Sequence, residues 1–432
     1  MTTLDQLRSG ALAGATRLDL QAGLRELPPE VFELADTLEV LNLNGNQLTD
    51  LPADLPRLKR LKVLFCSNNP FTLLPEVLGQ CPALEMIGFK ACAISQVPAA
   101  SLPSALRWLI LTDNHIETLP EVFDGLPRLQ KLMLAGNRLS RLPASLAHCV
   151  ALELIRIACN HLDELPTWLL RLPRLAWLAF AGNAGLGQHG SPGYPTMAWE
   201  AFRVGQPLGE GASGIVYEAW SAAEQAVALK CYRAGRTSDG TPTDEIAASL
   251  QAGRHPNLIA AQAELTGHPE GLPGLVMDRI GAGYRTLAAP PSFETCTRDC
   301  YPSDTRFTPG QASTLLSGIA GAASHLHQRG ISHGDLYAHN VLVDGNGHAL
   351  LGDFGAASRY ARNDRGLATA LEAIEVRALG IMLEEVSLRC AQPPAHWGTL
   401  ARACQQPDTQ ARPCLDEVRA RLLSDQTTST EA

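Results

Sequence analysis

Aromatic side chains are scarce, 5% of 432 residues. No apolar run approaches the roughly 18 residues that a membrane-crossing helix needs. Residues Met1 to Leu20 contain no apolar core followed by a small-residue cleavage site, so no secretory leader is expected there. Basic residues are outnumbered, 35 Lys and Arg against 44 Asp and Glu, and the formal charge of −9 is spread with both signs interspersed. A nucleic-acid partner, which needs a basic face, is therefore not expected. A regular cysteine framework is also missing. The eleven present are scattered and odd in number, several stand where small core residues belong (Cys66, Cys92, Cys159), and Cys296 and Cys300 share a loop with no second pair at zinc-ligand spacing. The expectation is reduced, buried thiols in a soluble cytoplasmic protein without a membrane span. What the chain does have is length enough for two or three domains and a 45% hydrophobic content that can fill sizeable cores.

Leucine is abundant, and it is periodic. Leu38, Leu41, Leu43, Asn46 and Leu48 are followed by Leu61, Leu64, Cys66, Asn69 and Phe71. The pattern returns at Leu106, Leu109, Leu111, Asn114 and Ile116, and again at Leu129, Leu132, Leu134, Asn137 and Leu139, a period of 22 or 23 residues. Prolines fall between units at Pro28, Pro52, Pro75, Pro98, Pro120, Pro143 and Pro166. This pattern matches the leucine-rich repeat, with about eight units over residues 1–187 and a degenerate first one around Leu18 and Leu20. Each unit is expected to be a short strand and a tight return whose leucines complete a core shared with stacked neighbours. The asparagine closes the turn with its amide, and Gly23 and Cys92 stand where two of these asparagines are expected. By analogy with other such arrays, the side chains between the core leucines line a concave face. Phe65, Met86, Trp108, Ile110, Lys131, Met133, Arg156 and Trp177 are then expected as an exposed surface for a protein ligand.

The periodicity stops near Leu186. Residues 188–198, opening QHGSPGYPT, read as a linker rich in Gly and Pro. Beyond it the run LGEGASGIVY spans Leu208 to Tyr217, with Gly209, Gly211 and Gly214 between two strand-like stretches. Glycines there let backbone amides close over phosphates. The strand-forming Ile-Val-Tyr-Glu-Ala-Trp that follows favours a hairpin over the helix of a dinucleotide fold. Lys230 ends the apolar strand Val227-Ala228-Leu229, and a helical stretch from Thr243 to Ala252 carries Glu245. Further on come His333-Gly334-Asp335-Leu336-Tyr337-Ala338-His339-Asn340 and Asp353-Phe354-Gly355.

These motifs, in this order, resemble the protein kinase superfamily over roughly residues 199–424, with 425–432 left as a flexible tail. The resemblance implies a two-lobed α+β domain after the α/β solenoid, using ATP with Mg²⁺ or Mn²⁺ to phosphorylate a protein substrate, most simply on serine or threonine. It implies Asp335 as catalytic base, Asn340 and Asp353 as metal ligands, and Lys230, paired with Glu245, facing the α- and β-phosphates. Gly209, Gly211 and Gly214 would cover the phosphates. Leu208, Val216, Ala228 and Leu342 would sandwich the adenine, with Met277 at the back of the pocket before a hinge near Asp278.

Four departures stand out. Gly334 replaces the arginine that usually precedes the base and receives an activating phosphate. Tyr337 replaces the lysine of serine/threonine kinases, and His339 the arginine of tyrosine kinases. The stretch after Gly355 is short, with Ala370-Leu371-Glu372 and then Glu375-Val376-Arg377 following closely, and it offers Ser358, Tyr360 and Thr369 as phosphate carriers. Residues 284–310 look like an insertion beside the cleft. Arg412-Pro413 retains a late C-lobe signature. Two other readings stay open on these departures: a pseudokinase scaffold binding partners through both domains, and a small-molecule phosphotransferase.

Overall fold

The computed structural model describes residues 4–186, 193–211, 213–233, 235, 237 and 239–428. Residues 188–192 of the expected linker and 429–432 of the expected tail lie outside the described residues. The chain forms two compact units, Met1–Leu172 and Pro173–Ala432.

The first unit is a repeat array. After a short helix α1 (Leu4–Arg8) come seven three-residue strands: β1 (Arg17–Asp19), β2 (Val40–Asn42), β3 (Val63–Phe65), β4 (Met86–Gly88), β5 (Trp108–Ile110), β6 (Lys131–Met133) and β7 (Leu154–Arg156). They pair in parallel and in strict register, so that Leu18, Leu41, Leu64, Ile87, Leu109, Leu132 and Ile155 form one apolar column. Every member of that column is fully buried. Short 3₁₀ turns such as Pro29–Leu34 and Ala144–His148 return the chain. The asparagines act as the repeat pattern requires. The Asn137 amide donates to the carbonyls of Leu111 (2.8 Å) and Leu134 (2.9 Å) while its oxygen accepts the Ile116 N–H. Asn46, Asn69, Asn114 and Asn160 repeat these bonds. Each therefore satisfies backbone groups that burial would otherwise leave unpaired. At Cys92 the thiol takes this place, donating weakly to the Cys66 carbonyl at 3.5 Å. Gly23 adopts φ +64°.

The expected exposed face is corrected in part. Phe65, Trp108, Ile110 and Met133 are half-buried, but Met86, Lys131 and Arg156 are buried. Lys131 also lies over the Trp108 ring, 4.4 Å from its centroid.

The second unit begins earlier than composition suggests, at Pro173 rather than after 187. Strand β8 (Trp177–Ala179) continues the leucine periodicity in sequence yet belongs to this unit. Its smaller lobe is a sheet of six strands in the order β10–β11–β12–β14–β13–β9. These are β9 (Thr196–Ala198), β10 (Phe202–Glu210), β11 (Gly214–Ser221), β12 (Ala226–Tyr232), β13 (Ala261–Thr266) and β14 (Gly274–Asp278). Alternate residues Val227, Leu229 and Cys231 of β12 point into a core with Ala219, Ala263, Leu265 and Val276. Helix α2 (Pro242–Ala252) packs on it. Thr241 caps α2 by accepting the Asp244 N–H at 3.1 Å, with proline at the first helical position.

The larger lobe is helical: α3 (Pro309–His327), α4 (Arg365–Ser387), α5 (Trp397–Cys404) and α6 (Leu415–Thr428). A Thr308/Gln311 capping box starts α3. Short strands β15 (Arg285–Thr286), β17 (Val341–Val343) and β18 (Ala349–Leu351) form one small sheet, and β16 (Ile331–Ser332) pairs with β19 (Ser358–Arg359). Among the described residues no helix is long and apolar enough to cross a membrane, and no cysteine is disulfide-bonded.

Candidate active site

The glycine run makes the turn between β10 and β11. Gly211 donates its N–H to the Gly214 carbonyl at 2.9 Å. A side chain at Gly214 would strike the Cys231 carbonyl of β12, whereas Gly209 and Gly211 face open space. One glycine therefore serves packing and two leave the loop's face clear for an approaching ligand. Leu208 is half exposed, Val216 partly buried and Ala228 buried, with Ala228 beside Met277 across β12 and β14.

Lys230 lies two residues after Ala228 on the same face of β12, and its ammonium pairs with the Glu245 carboxylate from α2. Both side chains are largely shielded. Burial raises the Glu245 pKa above the usual carboxylate range; Lys230 opposes the shift and Asp353 adds to it.

Three loops complete the site. His333, fully buried, hydrogen-bonds the Gly352 carbonyl through Nε2 at 2.9 Å and packs its ring on Phe354. Asn340 donates its amide to Asp335 twice, to the carboxylate at 2.8 Å and to the carbonyl at 2.9 Å. The Asn340 carbonyl in turn accepts the Gly352 N–H. Asp353 holds φ +53°, a rare left-handed conformation for a non-glycine residue, with its carboxylate accepting the Gly355 N–H at 3.1 Å. Asp353 Oδ1 and Glu245 Oε2 both lie within 4 Å of where a Gly355 side chain would stand. Leu342 lies on β17. Lys230, Glu245, Asp353, Asn340 and Asp335 are thus joined by a chain of contacts, whereas Leu208, Val216, Ala228 and Met277 lie on strands of the smaller lobe and Leu342 on β17.

Three groups that support this arrangement were not assigned to it from the sequence. Glu375 of α4 is buried and accepts from Ser332 Oγ (2.9 Å), the Gly334 N–H (2.7 Å) and His327 Nε2 (2.8 Å). Burial pushes Glu375 upward, but the His327 ring and these donors outweigh it and hold its pKa low. Asp299, from the 284–310 insertion, accepts both the His339 N–H (3.1 Å) and its ring Nδ1–H (2.7 Å). Burial opposes charge on His339, yet Asp299, and then Asp335 and Asp353, raise its pKa overall. Its Nε2 stands 4.0 Å from Asp335. Trp177 is the third. Expected on an exposed face, it is instead 1% exposed and stacked on Tyr337 at 4.0 Å and 7°.

Two of the three phosphate carriers named from the sequence are corrected as well, and the third, Thr369, is exposed. Ser358 and Tyr360 are buried, the latter bonded to His327 Nδ1, and Thr369 lies on α4.

A family described as Protein kinase domain matches residues 202–375. Two leucine-rich-repeat families match residues 36–79 and 92–139. The cyclin-dependent kinase 11B of Rattus norvegicus is 27% identical over 197 residues, 44% of this chain and 42% of the relative. The serine/threonine-protein kinase PITSLRE of Drosophila melanogaster is 29% identical over 164 residues, 37% of this chain and 16% of the relative. The probable inactive serine/threonine-protein kinase roco10 of Dictyostelium discoideum is 32% identical over 135 residues, 31% of this chain and 4% of the relative. The chain spans less than half the length of each of these relatives.

Proposed function

Because this chain is a leucine-rich-repeat protein kinase, its repeats preceding its kinase domain, we propose that it transfers the γ-phosphoryl of ATP to a serine or threonine hydroxyl of a protein. The observation that carries the proposal is the joint assembly of two pairs. Lys230 is bound to Glu245, and Asn340 holds the Asp335 carboxylate. A domain that had lost transfer chemistry would be free to lose either.

A protein kinase domain implies ATP and a divalent cation in general. The donors here fit Mg²⁺. Asp353 and Asn340 offer hard oxygens, the ligand type Mg²⁺ takes beside waters and phosphate oxygens. When bound, the cation neutralises phosphate charge. In this reading Asp335 orients the acceptor hydroxyl and takes its proton, with Asn340 fixing the rotamer of that carboxylate. Lys230 holds the α- and β-phosphates, the amides of Gly209 and Gly211 close over them, and Leu208, Val216, Ala228, Met277 and Leu342 enclose the base. The work is positioning and charge neutralisation in a shielded cleft. The repeats would recruit a protein ligand through the half-buried Trp108, Ile110 and Met133. A cytoplasmic site of action is part of this reading, since ATP is its substrate.

One observation favours a non-catalytic scaffold: Tyr337 is buried where serine/threonine kinases carry a lysine. Asp335→Asn separates the two readings. Transfer should fall at least a thousandfold while Mg–ADP binding, read by titration calorimetry, stays within threefold of wild type. Wild-type protein that binds Mg–ADP but phosphorylates neither itself nor a protein panel would establish the scaffold.

A further inference from the structure

Between Gly355 and the start of α4 at Arg365 the chain has little length with which to brace the loop that carries Asp335. Another segment braces it. Trp177 stacks on Tyr337, two residues after Asp335, and donates its indole N–H to the Leu336 carbonyl at 3.1 Å. The Phe180 N–H donates to Ser358 Oγ at 3.0 Å, and Ser358 donates on to the Ala356 carbonyl. At the segment's start, Arg377 of α4 donates to the Arg174 carbonyl (3.0 Å) and Arg412 to the Pro173 carbonyl (2.9 Å).

Gly334 makes room for this contact. At φ +73°, a side chain there would stand 2.7 Å from the Leu178 carbonyl and 2.6 Å from that of Ala356. The missing arginine and the docked segment are thus two sides of one arrangement. The segment touches residues following Asp335 and residues following Asp353, so it ties together the two loops that carry those carboxylates.

We propose that Pro173–Phe180 is a built-in strap that positions the catalytic loop, taking the place of a phosphorylated activation segment. The proposal rests on the kinase reading above and adds a source of order to it. The docked strap coexists with the Lys230–Glu245 pair and with Asn340 bound to Asp335, which is the arrangement of an activating brace and not of an inhibitory plug. Ser358, fully buried, serves here as the acceptor that fixes the strap's Phe180 end and not as a phosphate carrier. Trp177 is a positioning residue acting through Tyr337 and Leu336.

The test uses the full chain with Trp177→Ala, Trp177→Phe and Ser358→Ala. Three quantities are read: kcat and KM for ATP in protein phosphorylation, Mg–ADP affinity, and hydrogen exchange across residues 331–343. For Trp177→Ala we expect kcat to fall tenfold or more, equivalent to about 1.4 kcal/mol. KM for ATP and Mg–ADP affinity should change less than threefold, with faster exchange in the loop. Trp177→Phe keeps the stack and should recover most of the rate, and phosphatase treatment of wild type should leave its rate unchanged. Should Trp177→Ala not fold, Ser358→Ala removes a single acceptor and should still lower kcat about threefold with faster exchange. Unchanged kcat and exchange in the variant that folds, or a rise in kcat, would overturn the strap. If wild type binds Mg–ADP without transferring phosphate, the kinase reading fails by itself, and loop exchange in the variants alone then decides the strap.

Discussion

At Gly334 the backbone and its surroundings both forbid a side chain. The left-handed conformation costs an L-residue about 1–2 kcal/mol, and two carbonyl oxygens occupy the space a side chain would need. Gly334→Ala should therefore destabilise the Pro173–Ala432 unit by about 2–3 kcal/mol, read as a lower denaturant midpoint at unchanged slope. Gly334→Arg, which restores the residue common among kinases, should cost at least as much. A midpoint equal to wild type in both would mean that the Leu178 carbonyl does not lie against this residue. Lys230 and Glu245 illustrate the opposite kind of residue, one whose role follows from its motif. An ammonium ending an apolar strand and a carboxylate in the first turn of a capped helix are brought together by the ordinary packing of α2 on the sheet.

Among the elements, the 284–310 insertion acquires a physical role. Through Asp299 it holds His339 beside Asp335, and through Tyr301 it reaches α4. The Tyr301 hydroxyl donates to Glu385 at 3.2 Å, and Arg389 lies 3.8 Å over its ring. Burial, with the nearby Asp299 charge, pushes Glu385 up to about 7. The sign of the effect on stability is definite. A carboxyl group whose folded pKa exceeds its unfolded value stabilises the fold while protonated, and that contribution is lost as pH rises from about 4.5 through about 7. The loss is at most about 3 kcal/mol, since one pKa unit corresponds to 1.36 kcal/mol. Glu385→Gln should match wild type near pH 5 and exceed it by about 1–3 kcal/mol at pH 8, measured by urea unfolding at both values. Parallel pH profiles for the two proteins would count against a Glu385 carboxyl held protonated up to about pH 7. In the repeat unit the corresponding element is the asparagine turn, where a single amide serves two carbonyls and accepts a backbone N–H.

For the whole molecule, the division at Leu172/Pro173 makes a direct prediction about fragments. A chain beginning at Met197 omits the strap, while one beginning at Pro173 keeps it. Removing a buried tryptophan and its packing typically costs about 3–5 kcal/mol. The longer fragment should show the higher unfolding free energy by about that amount, with Mg–ADP affinity similar in both because the strap bonds to Leu336, Tyr337 and Ser358 and its contacts support the acceptor side of the site. Equal stabilities would show that Pro173–Phe180 contributes nothing to the kinase fold.

Much of this protein was legible before any coordinates. A 22- or 23-residue leucine period can bury its apolar column only by stacking, so the solenoid follows from the pattern alone. Phosphate chemistry needs few residue types at set spacings, so Lys230, Glu245, Asp335, Asn340 and Asp353 could be picked out as a set, and the structure gathers them. Periodicity is a local property, however. Leu175 and Leu178 continue the repeat rhythm, and nothing within β8 says that Trp177 belongs against Tyr337 or that Pro173–Phe180 falls in the second compact unit. Likewise Asp299 is one acid in an irregular loop until the fold brings it to His339 across forty residues of sequence. Burial, partner choice and the space around Gly334 arise from contacts between distant segments, and those the tertiary structure alone decided.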